Sequence, residues 1–377
     1  MSDDATGWRQ RVRAAWFSVA LGIACVVAFV ATLGTCVATS DAPGSVIVES
    51  FLGLSRCKST LEGFGALSVA RVWVDGEWWR VATTGLLHGG WLHLILNVWS
   101  LWSVGEWCER AWGAGRTAAL FVLGSVAGAL ASMAWAQATM VVGASAGVLA
   151  IAGAVLMGRM FGPAETQERL QPVSPFALIF TLVLMFAIGW VVPVIAQAGH
   201  VGGFAAGVGA TWAAMQRGWM RLAVTIVLVL ALHELAQIAG RPEGRPRYHE
   251  FVAYRELDRG DTEAAVAALE VAMRGKPEDP ESLNAIAYAL SLAGAHLDEA
   301  DAMVAEALAA APKNASYLDT QGWIACRRGD AEAGEALIRQ AQEIAGSEVS
   351  WEIEEHLKTC AAASVSRETL PDAAPAE

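Results

Sequence analysis

Residues 141–154 read VVGASAGVLAIAGA, a serine between glycines 143 and 147 in an otherwise apolar run. The letters GASAG satisfy G-x-S-x-G, the pattern that sets a nucleophilic serine on a sharp strand-to-helix turn in soluble hydrolases. That turn needs an apolar strand before it and a helix after it, in an alternating βα chain. Ser145 instead lies within 117–158, which are 42 residues without a charge. About 20 apolar residues cross the hydrocarbon core of a bilayer, so this stretch is two spans. Open strands cannot satisfy their backbone groups in lipid. The strand-based reading fails, and an all-α, polytopic bundle of membrane helices is expected in its place.

Composition agrees. Of 377 residues, 55% are hydrophobic and 17% charged, a membrane protein's balance. The charge is divided: 249–377 hold 10 Lys and Arg against 25 Asp and Glu, whereas 1–248 hold 16 against 13. An apolar, slightly basic part is thus joined to an acidic, water-soluble one. No basic tract points to nucleic acid. Six cysteines, at 25, 36, 57, 108, 326 and 360, have no metal-ligand spacing, so neither metal nor cofactor is expected.

Seven spans are expected. The first is 14–40, preceded by a short cytoplasmic segment, 1–13, whose arginines precede an uncharged run too long for a signal peptide. The second is 81–105. Two lie in 117–158 with a break near 136–139, two in 170–216 with a break near 192–199, and a weaker seventh in 222–240. Arginines 110, 116, 159, 169, 217 and 221 flank alternate loops, which sets the N-terminus inside. Seven spans then put the acidic tail outside, against the local signal of Arg241, Arg245 and Arg247.

Polar groups within spans are costly and mark function by default. The second span carries His88, His93 and Asn97, and the last two share a helical face one turn apart. The sixth carries His200 on one face with Gly203 and Gly207. Singly, each has an ordinary account: a histidine bonding to a neighbouring helix, a small residue letting helices pack. As a set they are a nucleophile, a base and hydrogen-bond donors, the components of acyl transfer.

These residues resemble the rhomboid family of intramembrane serine proteases over roughly 70–225. GEWWRVAT (76–83) resembles the family's Trp-Arg motif, and HGGWLHLILN (88–97) its H-x4-H-x3-N signature. GEWCERAWG (105–113) resembles the close of the second span, and AGHVGGFAAG (198–207) the histidine with its glycine face. GASAG matches the G-x-S-G serine motif in its first three positions; Ala146 stands where the family has glycine. The resemblance implies a Ser145–His200 dyad without an acidic third member. It implies an oxyanion site of His93, Asn97 and the Ser145 backbone N–H, with His88 structural and Arg80 and Glu109 bracing the first loop and span ends. Gly143 and Gly147 are expected to face Gly203 and Gly207 across a close helix contact. The substrates implied are transmembrane proteins, in a setting of membrane lipids, and the expected location is a bacterial inner membrane.

In 249–345 three Ala-rich stretches repeat one layout. Gly260, Gly294 and Gly329 recur at 34 and 35 residues, and Pro277 and Pro312 lie 35 apart. That period resembles tetratricopeptide helical hairpins and implies a protein or peptide partner. Tyr288 and Trp323 share one phase of the repeat and are read as core. Residues 361–377 have a disordered composition. If the tail is outside, Cys36 can pair with Cys57 and Cys326 with Cys360.

Two rivals to the protease remain. A catalytically silent, rhomboid-like adaptor that binds membrane clients has Ala146 as its support. A transporter with a histidine proton relay is weaker, since spans two to six hold no internal Asp or Glu.

Overall fold

The computed structural model describes residues 14–40, 42–51, 53, 57–135, 140–191, 197–346 and 351–368. Two compact units, Met1–Arg241 and Pro242–Glu377, divide the chain. The described residues are almost wholly helical.

Helix α1 (Trp16–Thr39) is an uncharged run of 24 residues. Its free N-terminal N–H groups are met from a distant part of the chain: Phe17 N and Ser18 N donate to the carboxylate of Glu109 at 3.1 and 2.9 Å, and Ser18 Oγ donates at 2.6 Å. A carboxylate there also suits the positive end of the helix dipole. A loop layer follows, with α2 (Pro43–Glu49), α3 (Lys58–Gly63), α4 (Val69–Asp75) and α5 (Arg80–Thr83). Cys36 at the end of α1 is bonded to Cys57 at the start of α3, as expected, with Cα atoms 5.7 Å apart.

The second apolar segment begins later than its hydropathy predicts. A 3₁₀ turn covers Thr84–Leu86 and Leu87 is extended, so helix α6 runs from Trp91 to Trp112 rather than over 81–105. Its start is fixed by the loop layer, where the carbonyls of Ser50 and Phe51 accept from Trp91 N and Leu92 N at 2.8 and 3.1 Å. Gly105 lies inside α6 because a Cβ there would strike Ser18. Helices α7 (Ala114–Trp135) and α8 (Ser145–Phe161) follow; the expected break at 136–139 lies outside the described residues. Next come α9 (Ala164–Arg169), α10 (Pro175–Val191), α11 (Gln197–Met215) and α12 (Gly218–Gly240). Of the second expected break, 192–196 lie outside the described residues and 197–199 are helical.

Among the described residues α1, α7 and α12 are long and apolar enough to cross a membrane; Ser145–Phe161 and Pro175–Ala187 are shorter apolar helices. Helix α11 packs on both α7 and α8, which pack on each other. In lipid this association rests on close contact rather than on release of water, so small residues line it.

The second unit is built of consecutive helix pairs: α13 (Pro246–Asp258) with α14 (Thr262–Arg274), α15 (Pro280–Ala293) with α16 (Leu297–Ala310), and α17 (Ala315–Arg328) with α18 (Ala331–Ala345). The recurring glycines close the first helix of each pair. Gly260, Gly294 and Gly329 have φ of 78°, 70° and 94°, a conformation that costs other residues a Cβ clash. Side chains of Asp261, Asp279, Asn314 and Asp330 cap the helices that follow them. Wholly buried Leu269, Ile286, Leu290 and Ile324 form the core. A last helix, α19 (Trp351–Glu368), packs on α17 and α18. It extends into the segment read as disordered from 361, of which 369–377 lie outside the described residues. Cys326 and Cys360 are bonded, as expected, with Cα atoms 5.7 Å apart.

Candidate active site

Ser145 is the first residue of α8, and His200 stands in the first turn of α11. Ser145 Oγ and His200 Nε2 are 2.8 Å apart, a direct hydrogen bond between a hydroxyl and an imidazole. The other ring nitrogen, Nδ1, is buried with no hydrogen-bond partner among the described residues, and none of their carboxylates orients this histidine. At a helix start the serine stands among backbone N–H groups that have no acceptor within the helix.

The glycines divide the work differently from the expected face-to-face contact. Gly143 is not on a helix. It turns the chain into α8 with φ of 126°, and a Cβ on it would lie 2.8 Å from Cε1 and Nε2 of His93. Gly147 faces α7, where a Cβ would meet the Phe121 ring at 2.5 Å. It is the backbone at Ala146 and Ala150 that lies on Gly203 and Gly207, so closely that a Cβ at either glycine would overlap those residues. The unusual Ala146 has its own recess: its methyl lies over Gly128 of α7, where a second Cβ would fall on it. The added methyl therefore points into the α7 contact.

His93 packs against the turn at Gly143 and accepts a hydrogen bond from Gly89 N at 3.4 Å through Nδ1. Its ring stands edge-on to His88, with centroids 5.1 Å apart. His88 is buried before the helix begins, with Nδ1 3.3 Å from the Leu86 carbonyl. Asn97 is buried one turn beyond His93 and donates Nδ2–H to the His93 carbonyl at 2.9 Å. Ser145, His200 and His93 are thus gathered at one point, while Asn97 gives an amide N–H to its own helix.

The first loop is fastened from beneath by Arg80. Its guanidinium donates to Glu77 at 2.6 Å and to the carbonyls of Glu62 and Ala66. Glu109 caps the first turn of α1 through Phe17 N, Ser18 N and Ser18 Oγ. A two-residue pairing of β1 (Leu67–Ser68) with β2 (Met140–Val141) joins this loop to the approach to Ser145. Thr84 adds two bonds: its Oγ1 donates to the Val141 carbonyl at 2.5 Å, and its own carbonyl accepts from Gly143 N at 3.1 Å. Sequence reasoning passed over Thr84 and Gly128. Thr84 carried no signal, but Gly124-x-x-x-Gly128 was legible as a small-residue face. Among the described residues no group of three His, Cys, Asp or Glu could hold a metal ion.

Residues 75–217 match the family model described as "Rhomboid domain". Similar proteins include "Rhomboid protease GluP" of Bacillus subtilis, 30% identical over 41% of this chain and 29% of that protein. "RHOMBOID-like protein 5" of Arabidopsis thaliana is 34% identical over 39% of this chain and 47% of its own length. "Inactive RHOMBOID-like protein 8" of the same plant is 28% identical over 52% and 58%. The chain spans less than two thirds of each of these relatives. The matches support the rhomboid family and, with the apolar helices, an integral membrane protein. The matched region holds every candidate site residue from Arg80 to Gly207.

Proposed function

We propose that this chain is an intramembrane serine endopeptidase that hydrolyses peptide bonds of transmembrane proteins. The observation that carries the reading is the 2.8 Å contact of Ser145 Oγ with His200 Nε2, at a helix start, between residues of two apolar helices. His200 Nε2 takes the serine proton as Oγ attacks the scissile carbonyl. The oxyanion is held by the N–H groups at the start of α8 and by the His93 ring, which the Gly143 turn keeps within reach. Asn97 completes the oxyanion site by turning its amide from the His93 carbonyl. The protonated His200 then gives its proton to the leaving amine, and water repeats the sequence on the acyl-enzyme.

The chain spans the membrane seven times, with its N-terminus cytoplasmic in a bacterial inner membrane and its repeat unit outside. Support for the outside placement comes from within the first unit. Trp73 Nε1 of the first loop donates to the Ala239 carbonyl at the end of α12, 2.8 Å away. The loop that follows the first span and the end of the last span therefore share a side. Of the arginines that argue otherwise, Arg247 lies 3.5 Å from Glu281. Residues 249–345 act as tetratricopeptide-like repeats that bind a peptide or protein and bring substrates to the membrane site.

The test is labelling of the purified protein by a fluorophosphonate, with cleavage of a model transmembrane substrate. Wild type should react at Ser145, and Ser145→Ala and His200→Ala should each abolish both signals. Absence of labelling in wild type, with the substrate still bound, would instead favour the silent adaptor; one matched relative carries "Inactive" in its name.

A further inference from the structure

The first helices of the three hairpins, α13, α15 and α17, lie side by side. One aromatic residue recurs on them at the repeat spacing: Tyr254, Tyr288 and Trp323. One turn before each stands an oxygen acceptor, Glu250, Asn284 and Asp319. Among the described residues each of these three keeps one buried oxygen without a partner, and the Trp323 Nε1 donor has none either. Three rows of the same pair, each with unspent hydrogen-bonding capacity, are more than a packing core needs.

Helix α19 sits on the last rung. His356 lies flat on Trp323, with centroids 4.4 Å apart and planes at 17°, and meets the Tyr288 ring edge-on at 5.6 Å. Its Nδ1 is 2.9 Å from Asp319 Oδ2 and its Nε2 is 3.3 Å from Tyr288 Oη. Both His356 and Asp319 are buried. One turn further along each helix, Cys360 is bonded to Cys326. The seat holds a flat, donor-bearing ring, yet that ring satisfies one oxygen of Asp319 and leaves the other, and the indole N–H, unmatched.

A guanidinium fits the seat better than imidazole does. It is planar, stacks on indole, and presents paired N–H donors to both oxygens of a carboxylate. Arg327 of α17 already approaches the Trp323 ring at 5.9 Å. We propose that this aromatic and acidic face is a docking groove for a peptide segment presenting an arginine, and that α19 fills it as an internal competitor fastened by the Cys326–Cys360 bond. The arginine pairs with Asp319 over Trp323, and a backbone carbonyl of the incoming peptide takes the indole N–H. Thiol–disulfide exchange with an external dithiol, which leaves as its own disulfide while Cys326 and Cys360 become thiols, loosens α19 and admits the peptide. The excess of 25 acidic over 10 basic residues in 249–377 favours such a partner. The proposal rests on the reading of this unit as peptide-binding and is independent of the Ser145–His200 chemistry.

The test uses the full chain in detergent and three fluorescein-labelled dodecapeptides, identical in an Ala/Gly/Ser background except for a central Arg, Gln or Glu. Anisotropy should show at least tenfold tighter binding of the Arg peptide to Cys360→Ser than to the oxidised wild type, with no gain for Gln or Glu. His356→Ala, which keeps the disulfide and vacates the seat, should show the same selectivity and guards against misfolding of the first variant. Adding Asp319→Asn to Cys360→Ser should erase the preference for Arg. Equal binding of all three peptides by the opened variants would overturn the arginine site while leaving a peptide-binding repeat unit. Equal affinity of wild type and both variants for the Arg peptide would overturn the latch. No binding by any form would overturn the groove and the peptide-binding reading together.

Discussion

Gly128→Ala tests the recess that accommodates Ala146. The introduced Cβ meets two obstacles: the Ala146 methyl, on which it falls, and the Gly199 carbonyl oxygen at 2.7 Å. The first is a side chain that mutation can remove; the second is backbone of α11. Overpacking of this kind costs about 1–3 kcal/mol. Gly to Ala inside a helix returns up to about 1 kcal/mol of propensity. The net loss expected for Gly128→Ala is therefore about 1–2 kcal/mol, with His200 displaced through Gly199. Ala146→Gly alone should cost about 1 kcal/mol, through propensity and a vacated recess. In the double variant the methyl-on-methyl clash is gone and the Gly199 contact persists. The two changes should then be non-additive by about 1 kcal/mol in the favourable direction, with partial recovery of labelling at Ser145. Equilibrium unfolding in mixed micelles and fluorophosphonate labelling, run as a double-mutant cycle, read both quantities. Strict additivity would refute the claim that position 128 exists to seat Ala146.

Three further outcomes are expected. Glu109→Ala removes three hydrogen bonds to the first turn of α1 and should destabilise the first unit by about 2–4 kcal/mol, with Glu109→Gln milder; unfolding in mixed micelles checks this. Burial pushes the Glu250 carboxyl up to about 7 from an ordinary 4.5, against the opposing pull of Arg247 and a Ser282 hydrogen bond. The folded state then holds a proton that the unfolded chain has lost between those values, so stability of the repeat unit falls as pH rises through that window, by up to about 3 kcal/mol. Thermal melts should show Glu250→Gln flattening that slope and raising stability at pH 8. Gly143→Ala, strained by its φ and by the His93 ring, should reduce the rate of labelling at Ser145 by about 10²-fold, while Ala144→Gly nearby should leave most of it.

Much of the fold was legible because a bilayer permits few solutions. Uncharged runs gave the helices α1, α7, α8 and α10 to α12 within a few residues, and the 34-to-35-residue glycine period gave the hairpins with the correct left-handed closing residue. The start of α6 was legible in Gly89-Gly90 beside His88 but not in hydropathy, which began the span at 81. Leu86 and Leu87 are as apolar as any span residue, and what stops the helix there is a tertiary event, the capture of its N–H groups by Ser50 and Phe51. The partners of the glycines were missed for a related reason: spacing tells which residues share a face but not which neighbour that face meets. A motif read along one chain segment therefore misassigned Gly143 and Gly147, although it drew together Ser145, His200 and His93. The composition of 361–377 concealed α19 because its order comes from contacts at Trp323, Asp319 and Cys326 rather than from its own sequence.

The pairing of β1 with β2 is small, two residues on each strand, but it turns the chain before Ser145 into a lever arm. With Thr84 bonded to Val141 and Gly143, residues 140–143 are held to the loop layer at one end and run into Ser145 at the other. The same layer carries Cys57 and is moored to α12 through Trp73. A force on that surface, from a partner or from a shift of the last helix, has a bonded route to the turn at Gly143 through these contacts. The point from which this site can be tuned is thus on its rim.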